Sequence, residues 1–408
     1  MRRHRGSFGS VRTALALPAI LVAAALLTGV AAARTVKTKP RPKPAIALLA
    51  TTAANSRLAV RVRITAPPAK ARWRLLVDGK IVATQPATTR IATSPFLAPG
   101  NHTVRAHLVT ARGVRVAVST TQAAHLDAVV AAAGDIACDP ADPNYAGTGS
   151  DCHFRQTAAL LGQAHYNSLF LLGDEQYECG SGTGFSTSFG PTWGQYKSIS
   201  HPTPGDHEYG TTKLNCPKGT GAAGYYSYWG SQAGDPTKGY YSFDLSNWHV
   251  IVLNSNCLDI GGCQAGSAEE QWLQQDLAAH PSQCTAAYWH EPRFTSGLAG
   301  DNPAMDAFWR DLYAAKVDLV LDGHAHVYER FAPQNPDGAA APDGITEIVV
   351  GTGGRSISAF QPTPEANSVA RGTSYGILSL TLGASSFSWR FVPEAGATFA
   401  DSGTTACH

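Results

Sequence analysis

The octapeptide Gly323-His324-Ala325-His326-Val327-Tyr328-Glu329-Arg330 follows an apolar run, Val317-Asp318-Leu319-Val320-Leu321, that reads as a buried strand. Two imidazoles placed in a loop straight after a strand point in different directions, which suits two adjacent cations better than one chelate. Four earlier stretches repeat the arrangement. Gly134-Asp135 follows Val129-Val130-Ala131-Ala132-Ala133, and Gly173-Asp174-Glu175-Gln176-Tyr177 follows Leu169-Phe170-Leu171-Leu172. Gly205-Asp206-His207-Glu208 comes next, and Trp289-His290 closes the run that starts at Ala286. An isolated Gly-Asp is an ordinary strand-end turn. Five ordered strand ends carrying hard oxygen or imidazole donors point instead to a shared metal site.

Around these motifs strands and helices interleave. Phe154 to Leu161 has helical spacing, with Asp151 expected as its N-cap. Ala268 to Ala279 places Trp272, Leu273 and Leu277 on one helical face. Further strands are expected at Tyr241 to Asp244 paired with His249 to Leu253, at Glu347 to Val350, at Tyr375 to Leu382 and at Ser386 to Phe391. The pattern predicts an α/β (α+β) body over 127–408, with two mixed sheets between layers of helices.

The region before it has a different character. Between Arg34 and Leu126 there are 16 Lys plus Arg against one acid, Asp78; from Asp127 onward there are 12 basic and 29 acidic residues. Such segregation predicts two bodies, each with its own partners or each partner to the other. Residues 34–44 form a basic, proline-rich linker. Residues 45–126 alternate apolar and polar residues in short runs, broken by turns at Asp78-Gly79 and Pro99-Gly100-Asn101, and predict a small all-β sandwich. Arg61 with Arg63, and Arg72 with Arg74, sit two apart and share a face of their strands. A solvated outer face and a docking surface for an anionic polymer or for the acidic body both fit this spacing.

Arg2, Arg3, Arg5 and Arg12 precede an apolar run from Ala14 to Val30 and then Ala31-Ala32-Ala33, which is the build of a signal peptide over residues 1–33. A retained anchor is the competing reading, since the run is nearly long enough to span a bilayer. With cleavage, no integral membrane segment remains, and the protein is expected to be secreted or held in the cell envelope. All eight cysteines lie after this segment, which predicts four disulfides. Pairing neighbours gives Cys138 with Cys152, Cys179 with Cys216, Cys257 with Cys263, and Cys284 with Cys407.

The motifs of the second body resemble those of the calcineurin-like metallophosphoesterases, and in particular the purple acid phosphatase branch. Tyr177 in Gly-Asp-x-x-Tyr and the run from Gly323 to Arg330 carry the narrower likeness. The resemblance implies a four-layer αββα sandwich, and Leu97 to Val104 resembles a strand entry of immunoglobulin-like and fibronectin type III modules, which implies such a domain at 45–126. It further implies that Asp135, Tyr177 and His326 bind one metal, that Asp206, His290 and His324 bind a second, and that Asp174 bridges them. A phenolate ligand implies iron(III) in the first position, with divalent zinc, manganese or iron in the second. His207 would assist the leaving group, steered by Glu208, while a hydroxide generated by the metals attacks a phosphate monoester. The branch usually has Asn where this chain has Asp206, so the ligands here contribute one more negative charge.

The implied partner is a phosphorylated small molecule or polymer, with an anionic envelope polymer as a partner of the basic domain and no specific recognition of nucleic acid. Phosphodiester or nucleotide hydrolysis is the first alternative. An envelope-polymer-binding protein with a non-catalytic metal domain is the second. His153, His165, His201 and His249 read as packing or surface residues, and Arg293 and Tyr328 as candidates for the substrate cleft.

Overall fold

Period-two alternation builds the first body. Within Arg57–Thr65, Leu58, Val60, Val62 and Ile64 are buried while Arg61 and Arg63 face solvent. The structure, a computed structural model, describes residues 39–210, 216 and 219–408. The expected signal peptide and the first part of the linker lie outside the described residues. The first body comprises β1 (Ala45–Ala54), β2 (Arg57–Thr65), β3 (Arg72–Val77), β4 (Lys80–Pro86), β5 (Ile91–Thr93), β6 (Gly100–Val109), β7 (Arg115–Val118) and β8 (Gln122–Leu126). One sheet has the order β1-β2-β5; the other has β4-β3-β6-β7, with β8 added against β6. Their inner faces meet around Trp73, Leu75, Val104 and Leu108.

The second body comprises β9 (Ala128–Ala133), β10 (Ser168–Leu172), β11 (Ser200–Thr203), β12 (Tyr241–Leu245), β13 (Trp248–Val252), β14 (Cys284–Tyr288), β15 (Leu319–Asp322), β16 (Tyr328–Phe331), β17 (Thr346–Val350), β18 (Ser368–Gly372), β19 (Gly376–Leu382), β20 (Ser386–Pro393) and β21 (Ser402–Ala406). Six of these strands form a sheet of order β11-β10-β9-β19-β20-β21, and seven form another of order β12-β13-β14-β15-β17-β16-β18. Alternate residues of the central strands serve two cores. Val250, Val252, Leu319 and Leu321 face the first sheet, whereas Ile251, Leu253 and Val320 face Leu273, Phe308, Trp309 and Leu312 of the outer helices. The helix Phe154–Leu161 packs Phe154, Leu160 and Leu161 into the shared core from the other side. Helix, sheet, sheet and helix therefore stack as four layers, because strands buried on both faces need apolar cover on each.

Asp151 does not cap the helix Phe154–Leu161. His153 holds the N-cap position without a side-chain bond to the helix, and its ring meets Glu394 at 2.6 Å. Backbone bonds from Cys152 and His153 to the carbonyls of Arg355 and Gly354 set the chain's entry, so a cap is not what starts this helix. Of the histidines read as packing residues, His165 stacks on Phe96 and His201 on Phe243, whereas His249 is held between Asp244 and Asp276 at 2.8 Å each. Among the described residues no helix is long and apolar enough to cross a membrane.

All four expected disulfides form. Cys284–Cys407 ties β14 to the end of β21 across 123 residues, whereas Cys257–Cys263 closes only 6. Loop-closure entropy then predicts that replacing Cys284 and Cys407 by Ala costs about 5 kcal/mol and replacing Cys257 and Cys263 costs about 2 kcal/mol. Chemical denaturation of the two double variants measures the ordering. The His249 clamp has a pH signature. Burial opposes its charge, but the bonds to Asp276 and Asp244 outweigh burial and raise its pKa above the usual imidazole value. Its contribution is thus complete below about pH 6.5 and fades as pH rises through the elevated folded value. His249→Gln should destabilise the protein more at pH 5.5 than at pH 9, as read by thermal melts at both.

Candidate metal centre

Each of the five motifs emerges at the C-terminal end of a strand: β9, β10, β11, β14 or β15. β9, β10 and β11 run parallel in one sheet, and β14 and β15 run parallel in the other. Parallel strands deliver their C-terminal loops to a common edge, where α/β folds place ligands. The glycines of the motifs are there for close approach. A Cβ on Gly205 would collide with the Asp174 carboxylate, and one on Gly173, whose φ is +84°, would meet the His290 ring. Asp135, Asp174, His324 and His326 all have positive φ, between 50° and 63°. Asp and His tolerate that region better than most residues, and clustering of this kind marks functional sites.

Two triangles of donor atoms result. In the first, Tyr177 Oη lies 2.8 Å from Asp135 Oδ1 and 3.0 Å from His326 Nε2, and those two atoms are 3.0 Å apart. In the second, His290 Nε2, His324 Nδ1 and Asp206 Oδ1 stand 3.2 Å from one another. Asp174 lies between them, with Oδ2 3.4 Å from His290 Nε2 and Oδ1 accepting the His207 amide at 3.0 Å. All seven residues named from the sequence therefore converge. Orientation comes from behind. His290 Nδ1 donates to the Leu172 carbonyl at 2.8 Å and His326 Nδ1 meets Ser356 Oγ at 2.7 Å, which turns each Nε2 inward.

The charges are tightly balanced. Burial pushes Asp135 up, but His326, His290 and His324 outweigh it and hold the carboxyl at about 2. Burial likewise opposes ionisation of Asp206, and its bonds to His290 and His324 bring it well below the usual carboxylate range. His290 responds in kind: burial disfavours its charge, yet Asp174, Asp206 and Asp135 raise it well above 6.5. Tyr177 keeps its proton, because burial and then Asp135 and Asp174 push the phenol well above its usual value.

His207 sits at the rim, its ring 4.2 Å from that of Tyr177. Nδ1 donates to the Glu178 carbonyl at 2.7 Å, so Nε2 faces Asp174 Oδ2 at 3.8 Å. Glu208 does not contact that ring. Its carboxylate accepts the amides of Asp174, Gln176 and Gly205 at 2.8–3.0 Å, and so shapes the two Gly-Asp loops. Arg293 is paired with Asp306 and Tyr328 is buried with its hydroxyl on Asp401, so neither takes the place in a cleft expected of it.

Sequence reasoning missed the segment Gly351-Thr352-Gly353-Gly354-Arg355-Ser356 after β17. A Cβ on Gly351 would crowd the His326 amide and Asp135 Oδ2. Arg355 binds Glu178 Oε1 at 2.6 Å and stands 5.3 Å from the Tyr177 ring. The signal was the same strand-then-glycine pattern, passed over because no ligand type follows it.

No family model matches the chain. Over 146 residues the chain is 33% identical to purple acid phosphatase 22 of Arabidopsis thaliana, a match covering 34% of this chain and 32% of that protein. Over 222 residues it is 27% identical to purple acid phosphatase 15 of the same plant, covering 48% and 39%. The chain spans less than half the length of the curated relatives it matches. Among solved structures, the purple acid phosphatase PPD1 from yellow lupin (Lupinus luteus) seeds shares the fold with a TM-score of 0.57 at 16% identity, covering 89% of this chain and 74% of that one. Sequence and fold agree: over part of its length the chain is similar to purple acid phosphatases, and it shares the fold of one of them.

Proposed function

We propose that this protein is an exported, metal-dependent phosphatase that hydrolyses phosphate monoesters, with its catalytic domain at 127–408 and an immunoglobulin- or fibronectin III-like domain at 45–126. The observation that carries the reading is the pair of donor triangles joined by Asp174. At metal–ligand bonds of about 2.0–2.2 Å, neighbouring donors on one cation lie roughly 2.9–3.5 Å apart. The edges of 2.8–3.2 Å fit that spacing. Oxygen and imidazole donors without thiolate suit hard or borderline cations. Asp135, Tyr177 and His326 would hold one, Asp206, His290 and His324 the other, with Asp174 shared. A phenolate donor such as Tyr177 prefers a hard, highly charged ion, which supports iron(III) beside a divalent zinc, manganese or iron. Bound there, such a pair acidifies water and neutralises phosphoryl oxygens.

The chain's own groups do the rest. The Glu178 carbonyl holds one proton on His207 Nδ1 and turns Nε2 toward the site, so Nε2 accepts from a phosphoryl hydroxyl when the ring is neutral and donates to the departing alkoxide when the ring carries its second proton. Glu208 keeps the loops of Asp174 and Asp206 in register. Asp206 adds a negative charge where a neutral amide would serve, which strengthens the hold on the cation and weakens the pull on phosphate. Four disulfides support an oxidising compartment outside the cytosol.

Asp135→Ala and His326→Ala should each remove about one of two metals, seen by elemental analysis. Because losing even a side chain that only orients a ligand costs about 10–100-fold, activity on p-nitrophenyl phosphate should fall further than that. Full metal content with full activity would refute the assignment, and faster hydrolysis of the bis ester would favour diesters. Asp206→Asn should lose metal faster on dialysis and show a KM several-fold lower; if both stay constant, Asp206 is not a ligand.

A further inference from the structure

Four arginines share the outer face of the β4-β3-β6-β7 sheet. Arg74 stands opposite His107 and Arg105 opposite Leu76, while Arg72 and Arg115 flank Val109 from β3 and β7. Residues directly opposite in a ladder project from one face, as do residues two apart along a strand. Arg72, Arg74, Arg105 and Arg115 thus surround His107. The imidazole registers them: burial first, then the charges of Arg115, Arg105 and Arg74, lower its pKa below the usual value. Arg72, Arg105 and Arg115 are exposed and Arg74 is half-buried.

Counter-charge is missing. The only carboxylate in the first body, Asp78, is taken up by His102 and Thr103. Arginine ion pairs among the described residues belong to Arg293, Arg310, Arg330 and Arg355, all in the second body. Among the described residues the contacts between the two bodies include Ser56 on Asn167, Phe96 on His165 and His125 beside Asp127 at 3.6 Å, and no ion pair links an arginine of this face to the second body. The acidic body therefore does not neutralise this face, and the cations are turned to solvent.

We propose that this face is a docking site for a linear polyanion. Strand spacing sets the guanidinium rows about 4.8 Å apart across the sheet and about 7 Å apart along it, so consecutive anionic groups of one chain can each meet an arginine. The planar fork of arginine matches two oxygens of a phosphate, sulfate or carboxylate. Among the described residues Ile81 and Val118, with Val114 at the β6–β7 turn, are the large exposed apolar side chains of this sheet, too little to seat in a bilayer. The inference is independent of hydrolysis.

The test uses the whole protein and dextran sulfate, which the hydrolytic site cannot cleave, at about 10 mM salt where the Debye length is about 30 Å. The wild type should bind and be released by salt. The variant Arg72→Gln/Arg74→Gln/Arg105→Gln/Arg115→Gln should bind at least about tenfold more weakly, with a shallower slope of log affinity on log salt. A charge-matched control, Lys39→Gln/Lys43→Gln/Arg61→Gln/Arg63→Gln, should lose less than threefold. Melting curves and phosphatase activity of both should match the wild type. Absence of wild-type binding, equal losses in the two variants, or tighter binding to anionic phospholipid vesicles than to the polymer would each overturn the proposal.

Discussion

Three buried carboxylates packed against three imidazoles must be compensated, and that requirement organises the second body. The side chains of Asp135, Asp174 and Asp206 are at most 5% exposed. An ion moved from water into a protein interior costs several kcal/mol unless partners compensate. Here the imidazoles beside them and hydrogen bonds from the His207 and His324 amides compensate the carboxylates. A cation bound here would compete with protons for the same lone pairs, so its loading would be coupled to proton release.

Holding so many like groups together demands rigid supports. Two sheets present their strand ends at one edge, and glycines let the loops approach until carboxylates and rings touch. Glu208 shows how much of the support is backbone work. Its oxygens are spent on three amides of neighbouring loops, and the same residue closes the short turn Asp206–Tyr209 on the Gly205 amide. The left-handed backbone at four site residues is strain that only such over-determined packing retains.

The cluster was legible because its donor residues are chemically distinctive and each follows an apolar strand. Asp135, Asp174, Asp206, His290 and the two histidines near Gly323 needed only type and position to be singled out. The residues that aim them were not legible. Ser356 and the Leu172 carbonyl act through geometry that appears only when β10 and the loop after β17 meet the ligands. Alternation exposed the long strands of the basic body, yet β1, rich in alanine, and the three-residue β5 carry too weak a pattern. Asp151 looked like a cap because local chemistry favours it, and tertiary bonds from the Arg355 segment prevailed. Segregated charge suggested oppositely charged partners, but which residues meet, such as Ser56 with Asn167 and Phe96 with His165, could not be foreseen from composition.

The six-stranded sheet carries a consequence for biogenesis. β9 holds Asp135 between β10 on one side and β19 on the other, so the strand bearing the first ligand is completed by residues about 250 positions later. A nascent chain lacking β19 has the ligands but not the walls that converge them. The donor cluster is therefore complete only once the last strands of the chain have joined the sheet.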